Sequence, residues 1–200
     1  MDLFRVFENV DLGINSIIED FCLVGVPPMG CSEGDLQTFI GAGALIRSHT
    51  VIYAGNKIGK NFQTGNKTNI RELNIIGDNV SIGTLSVVEH HVTIGSGVRI
   101  HSQVFVPEYS ILEDNAWLGP NVVLTNAKYP KSINVKSSLK GPIIKRNAKI
   151  GANSTILPGI VIGNNALIGA GSVITKDVPD NAVVVGNPGR IINDTSNLDY

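Results

Sequence analysis

From Ile40 to Leu124 an apolar residue returns at every sixth position: Ile46, Ile52, Ile58, Ile70, Ile76, Ile82, Val88, Ile94, Ile100, Val106, Leu112 and Leu118 fill the row, and Thr64 is its one non-aliphatic member. The beat resumes at Ile144, Ile150, Ile156, Ile162, Ile168 and Ile174, and an earlier run of Val6, Leu12, Ile18 and Val24 precedes it. A helix requires apolar recurrence near 3.6 residues and a half-buried strand a recurrence of two, so a strict six fits neither as a continuous element. It fits short strands separated by corners, stacked so that each repeat buries the next, as in a parallel β-helix. Glycine often follows the inward residue, as at Gly41, Gly59, Gly83, Gly95 and Gly151. Four places on comes another small or branched residue, such as Val80, Val98, Ala116 or Ser154, which suits a narrow interior. Three hexads then close one triangular coil of 18 residues. The chain therefore reads as all-β, with about eight such coils over residues 1–190 and a short tail at 191–200.

Two interruptions leave the column as loops, about 26–38 with its Pro27-Pro28-Met29-Gly30, and about 128–142. Loops on a rigid scaffold often carry function. Residues 18 apart lie one above another at the ordinary strand spacing of roughly 4.8 Å. Glu72, His90, Glu108 and Asn126 form such a ladder near a corner. It sets a histidine between two carboxylates, with an amide one coil on. A nearby carboxylate favours imidazolium and fixes the ring tautomer, which makes His90 the first candidate general base, held by Glu72 or Glu108. His91 is the adjacent alternative, but its ladder mates Leu73, Tyr109 and Ala127 offer no carboxylate. His101 faces outward after Ile100, and His49 has Lys67 above it, so both read more readily as structural.

The hexad pattern resembles the hexapeptide-repeat acyltransferases, over roughly residues 5–190. That resemblance implies a left-handed β-helix, although crossovers between parallel strands are ordinarily right-handed. It also implies trimers with active sites between adjacent columns, which keeps His101 in play at a seam. Val88-Glu89-His90-His91-Val92-Thr93-Ile94-Gly95 is similar to the Glu-His-x-x-x-Ile-Gly segment of bacterial N-acetyltransferases acting on nucleotide-linked amino sugars, where the histidine is the base. Gly119-Pro120 through Thr125-Asn126 to Tyr129-Pro130 resembles a stretch of acetyltransferases making 3-acetamido sugars. It implies that Asn126 bonds the sugar or the developing oxyanion; alternatively Asn126 merely closes the turn. Ile168-Gly169-Ala170-Gly171-Ser172-Val173 with Lys176, and Gly186-Asn187-Pro188-Gly189-Arg190 beyond it, resemble the endings of coenzyme A-dependent members. This implies that Gly169, Ala170 and Ser172 line the pantetheine arm, while Lys176 and Arg190 meet the phosphates.

The expected reaction is acetyl transfer from acetyl-CoA to the amine of a nucleotide-linked amino sugar, with O-acetylation of a sugar hydroxyl as the alternative. Relatives with the Glu-His segment often carry an N-terminal nucleotide-binding domain; here the beat starts almost at once, so a nucleotide must bind on the column. A zinc hydratase like the γ-class carbonic anhydrases needs three converging histidines, whose spacing His90, His91 and His101 do not match; no metal is expected. A non-catalytic scaffold would leave the Lys176 and Arg190 ending without purpose. The net charge of −1 argues against a nucleic-acid partner. Two cysteines, Cys22 and Cys31, and the lack of a long apolar run or an apolar leader fit a cytoplasmic protein with no membrane partner.

Overall fold

A computed structural model describes residues 3–198. Every hexad makes one short strand, and successive strands fall in turn on three flat faces. The three sheets have nine, eight and ten strands. Since each coil gives one strand to each face, the eight-stranded second sheet counts eight complete coils, and the first and third sheets extend into a partial ninth. Pairing within the column is parallel and in register at 18 residues, for example Ile70 on Val88 and Val88 on Val106. The winding is a left-handed parallel β-helix. Among the described residues, no helix is long and apolar enough to cross a membrane.

The core is the six-residue row itself. Ile40, Ile46, Ile52, Ile70, Ile82, Ile94, Leu112, Leu118 and Ile150 are at most 1% exposed. Close stacking accounts for the glycines after them. A Cβ on Gly83 would lie 2.5 Å from the carbonyl carbon of His101 in the next coil, where only a hydrogen fits.

Apart from the two points where the interruptions leave and the turn after Ile174, each corner has a left-handed residue three places after the inward one, with φ between 54° and 64° when it is not glycine. Asparagine and glycine take that conformation most readily; bulkier residues give up about 1–2 kcal/mol. The corner between the second and third faces obeys this in every coil: Asn15, Gly43, Asn61, Asn79, Gly97, Asn115, Asn147 and Asn165. Their amides form a ladder, with Asn61 donating to Asn79 at 3.0 Å and Asn147 to Asn165 at 3.1 Å.

The first corner, between the first and second faces, is different. Both interruptions leave from it: one joins Leu23–Val26 to Thr38–Ile40, the other joins Val123–Leu124 to Ile143–Ile144 and includes a 3-10 turn at Lys136–Ser138. Between these protrusions lies an open edge about five coils long, roughly 24 Å. The expected tail is structured from its start: Arg190–Asp194 runs antiparallel to Ala182–Val185 and finishes the third sheet. Residues 199–200 lie outside the described residues.

Candidate functional site

Glu72, His90, Glu108 and Asn126 follow the first-face strands of coils four to seven, so all four project from the open edge. The vertical ladder expected from the 18-residue count is present, and its bonding refines the roles. His90 Nε2 lies 3.7 Å from Glu108 Oε1. Its other nitrogen, Nδ1, is 2.8 Å from His91 Nδ1. When His90 donates in that bond, Nε2 keeps its lone pair on the side of Glu108, half-buried and open to a ligand. Whichever ring donates, the bond to His91 fixes the plane of the His90 ring.

Glu72 does not orient His90. Its carboxylate is gripped bidentately by Arg71, at 2.8 and 2.9 Å, and Arg71 also reaches Glu89 at 3.6 Å. Burial alone would raise the Glu72 carboxyl, but the Arg71 bonds outweigh it and hold the group below its ordinary value. Glu89 goes the other way: burial, helped by repulsion from Glu108 and Glu72, raises it against the pull of Arg71 and His90. Asn126 Nδ2 donates to Glu108 Oε2 at 2.7 Å and leans on the Glu108 carbonyl at 3.4 Å. Both amide hydrogens are thereby engaged, so Asn126 positions Glu108 rather than standing free for an oxyanion. Beneath the site, the buried amide of Asn74 donates to the Arg71 carbonyl at 2.8 Å and accepts from the Val92 N–H at 2.7 Å, fixing the corner backbone.

The Arg71–Glu72 pair gives a pH-dependent prediction. Arg71→Met leaves the buried carboxylate alone and lowers stability at pH 7 by about 2 kcal/mol, under the roughly 3–5 of a fully buried pair because Arg71 is one-third exposed. In the native protein the depressed Glu72 stabilises above its unfolded value of 4.5, and that contribution fades as pH falls through the folded value. In the variant burial raises Glu72, so its penalty is present at neutral pH and vanishes on acidification. Urea unfolding at pH 7 and near pH 4 should find the gap between the two proteins narrowing.

At the C-terminal end, Lys176 and Arg190 line one cavity of about 480 Å³ with Ile174, Val178, Val184 and Gly189. Register carries Leu124 onto Ile156 and Ile156 onto Ile174, so Lys176 stands on the same edge as Asn126 and His90. Four coils separate it from His90, roughly 19 Å.

Two expectations for this end require correction. Ser172 is fully buried; its hydroxyl donates to the Gly169 carbonyl at 2.6 Å and accepts from the Gly186 N–H at 3.1 Å, pinning coils inside the column. Gly169 is also consumed, its N–H on the Val184 carbonyl at 2.8 Å and its own carbonyl taking the Ser154 hydroxyl as well. Ala170 is exposed.

His101 lies on the third face, stacked edge-on against Trp117 at 4.8 Å and accepting from Arg99 Nε at 3.2 Å. Burial, with the Arg99 charge behind it, lowers its ionisation. His49 packs on Phe21 at 4.9 Å. Cys22 and Cys31 are free, and burial raises the Cys22 thiol. Reasoning from sequence missed Arg71 and Glu89, although both sit one place after an inward residue and one coil apart, a spacing that marks them as neighbours.

The bacterial transferase hexapeptide family, in six repeats, matches residues 75–108 and 141–176. By this match and its fold the chain is a hexapeptide-repeat protein. Among relatives of this hexapeptide-repeat protein, a 2,3,4,5-tetrahydropyridine-2,6-dicarboxylate N-acetyltransferase from Halalkalibacterium halodurans is 37% identical over 60% of the chain and 50% of that protein. A galactoside O-acetyltransferase from Lactococcus lactis is 34% identical over 64% of the chain and 60% of that protein. The chain thus spans about half to three fifths of these relatives' lengths. The solved Francisella novicida UDP-N-acetylglucosamine acyltransferase superposes with a TM-score of 0.82 over 98% of the chain and 70% of that structure, at 18% identity, which speaks for the fold alone.

Proposed function

We propose that this protein transfers an acetyl group from acetyl-CoA to the amine of a nucleotide-linked amino sugar. The observation carrying this reading is the shared edge: His90 and Lys176 project from one corner, with the Lys176–Arg190 cavity at its C-terminal end. Phosphates of the coenzyme bind the two cations, and the pantetheine arm runs along the edge toward His90. The acceptor nitrogen attacks the thioester carbonyl, its proton passes to His90 Nε2, the C–S bond breaks, and the departing thiolate takes that proton as CoA-SH. Asn126 holds Glu108 and His91 holds His90 in place.

Charge favours an amine over a hydroxyl. Glu72, Glu89 and Glu108 surround His90, against the single guanidinium of Arg71. An acceptor that arrives as an ammonium is drawn to this excess and gives one proton to solvent before its nitrogen attacks as the neutral amine, whereas a neutral hydroxyl gains nothing from it. The outward row of the first face is mostly apolar, with Leu23, Val51, Val87, Phe105, Val123 and Val173 beside Arg5, Asn69 and Thr155, and supports self-association into the trimer that the family resemblance implies.

Thiol release from acetyl-CoA, followed against a panel of nucleotide-linked amino sugars and their hydroxyl counterparts, tests the reading; release with none of the amines removes it. The coenzyme site has its own check. Replacing Lys176 and Arg190 together by alanine should raise KM for acetyl-CoA about 10- to 100-fold. With acetyl-pantetheine, which lacks the phosphates, the variant and the native protein should behave alike.

A further inference from the structure

Leu73, His91 and Tyr109 occupy the left-handed position at the first corner in three successive coils, at φ 61°, 57° and 64°. The same corner uses Asn9, Gly55 and Gly159 elsewhere, and the second corner never departs from asparagine or glycine. Strained positions of this kind persist where the side chain serves some other purpose. His91 has one, its bond to His90. Tyr109 does not earn its place by packing, since it is 45% exposed. The third corner also carries bulky residues, from Phe21 to Gln103, among them His49, which packs on Phe21 close to Glu19 and Asp20, so it is the contact with two histidines rather than the strain alone that singles out Tyr109.

The surroundings of Tyr109 indicate what it meets. Its ring lies edge-on to His90, with centroids 6.1 Å apart and planes at 82°, and tilted against His91 at 5.8 Å. The end of the second protrusion lies against its backbone, where Gly141 leaves no room for a Cβ beside the Tyr109 carbonyl carbon. A ligand atom at His90 Nε2 therefore has the Tyr109 ring beside it and the loop above. We infer that Tyr109 is a specificity-determining residue, a platform on which the C–H face of the acceptor's pyranose ring packs while its amine is presented to His90. An aromatic face suits both the weakly positive C–H groups of a sugar and a neighbouring ammonium. The inference rests on the acyl-transfer reading for the amine's fate, but the platform itself is a matter of binding.

Calorimetric binding of UDP-glucosamine, without coenzyme, to the full chain and to Tyr109→Asn and Tyr109→Phe provides the test. Tyr109→Asn should weaken binding about tenfold while raising the melting temperature by about 2–4 °C, because asparagine suits the left-handed corner. Tyr109→Phe should bind as the native protein does. Because no coenzyme is present, the measurement reads binding alone and is separate from any failure of turnover. No binding by the native protein, equal affinity in Tyr109→Asn, or a change in the native mass of Tyr109→Asn that makes the ring a contact between columns would each overturn the platform.

Discussion

His90→Ala lowers kcat by about 10²- to 10⁴-fold with its fold and native mass unchanged, the range a positioned general base contributes. His90 is half-buried at the surface of a corner and takes no part in the core row, so its removal opens no cavity in the column. What it removes is the only imidazole nitrogen on this edge aimed at Glu108, with His91 engaged through Nδ1. His91→Ala should lose less, because the base survives and only its ring plane is freed; a loss equal to that of His90→Ala would make the two rings one proton-transfer unit. Steady-state thiol release, together with circular dichroism to verify the fold, decides between them. Turnover of His90→Ala within a few-fold of the native protein would take His90 out of the role.

Gly83→Ala should destabilise the column by about 3 kcal/mol, a large effect for one methyl group. The added methyl meets backbone rather than side chain, at 2.5 Å from both the His101 carbonyl carbon and the Ser102 nitrogen. Backbone in a β-helix has little room to retreat, since each coil is hydrogen-bonded to those above and below; here the Gly83 N–H donates to the Ile100 carbonyl at 2.8 Å. Gly171→Ala is the useful contrast. Nothing lies within 4 Å of its Cβ, so only the left-handed φ of 71° opposes it, at about 1 kcal/mol. Hydrogen exchange should find the Gly83→Ala damage concentrated in coils four to six, because a solenoid's units contact only their neighbours.

The site was legible to a definite depth. Counting by 18 was enough to stack Glu72, His90, Glu108 and Asn126, because the parallel strands before these four residues are paired in register at that spacing. Lys176 escaped the same count: the second interruption lengthens one circuit to 32 residues, from Leu124 to Ile156, and only the observed register restores the alignment. Bonding partners were less accessible still. That Arg71 takes Glu72 away from His90, that His91 holds His90, and that Asn126 spends its amide on Glu108 depend on side-chain torsions, which spacing does not encode. For Ser172 the repeat and the resemblance disagreed: four places after Ile168 it belongs inside the column, where it is found, and only the likeness to coenzyme A-dependent endings had put it on the pantetheine arm.

The six-residue beat alone determined that the chain is a triangular column, which residues face inward, and which stand above one another, since burial of aliphatic side chains in a narrow repeating section admits one phase. Tertiary structure decided that both interruptions open onto the same edge, that Lys176 shares that edge with His90, and which of several adjacent charges pair. Those outcomes turn on fractions of a coil and on distances of a few ångströms, where competing partners differ by a single rotamer rather than by hydrophobicity.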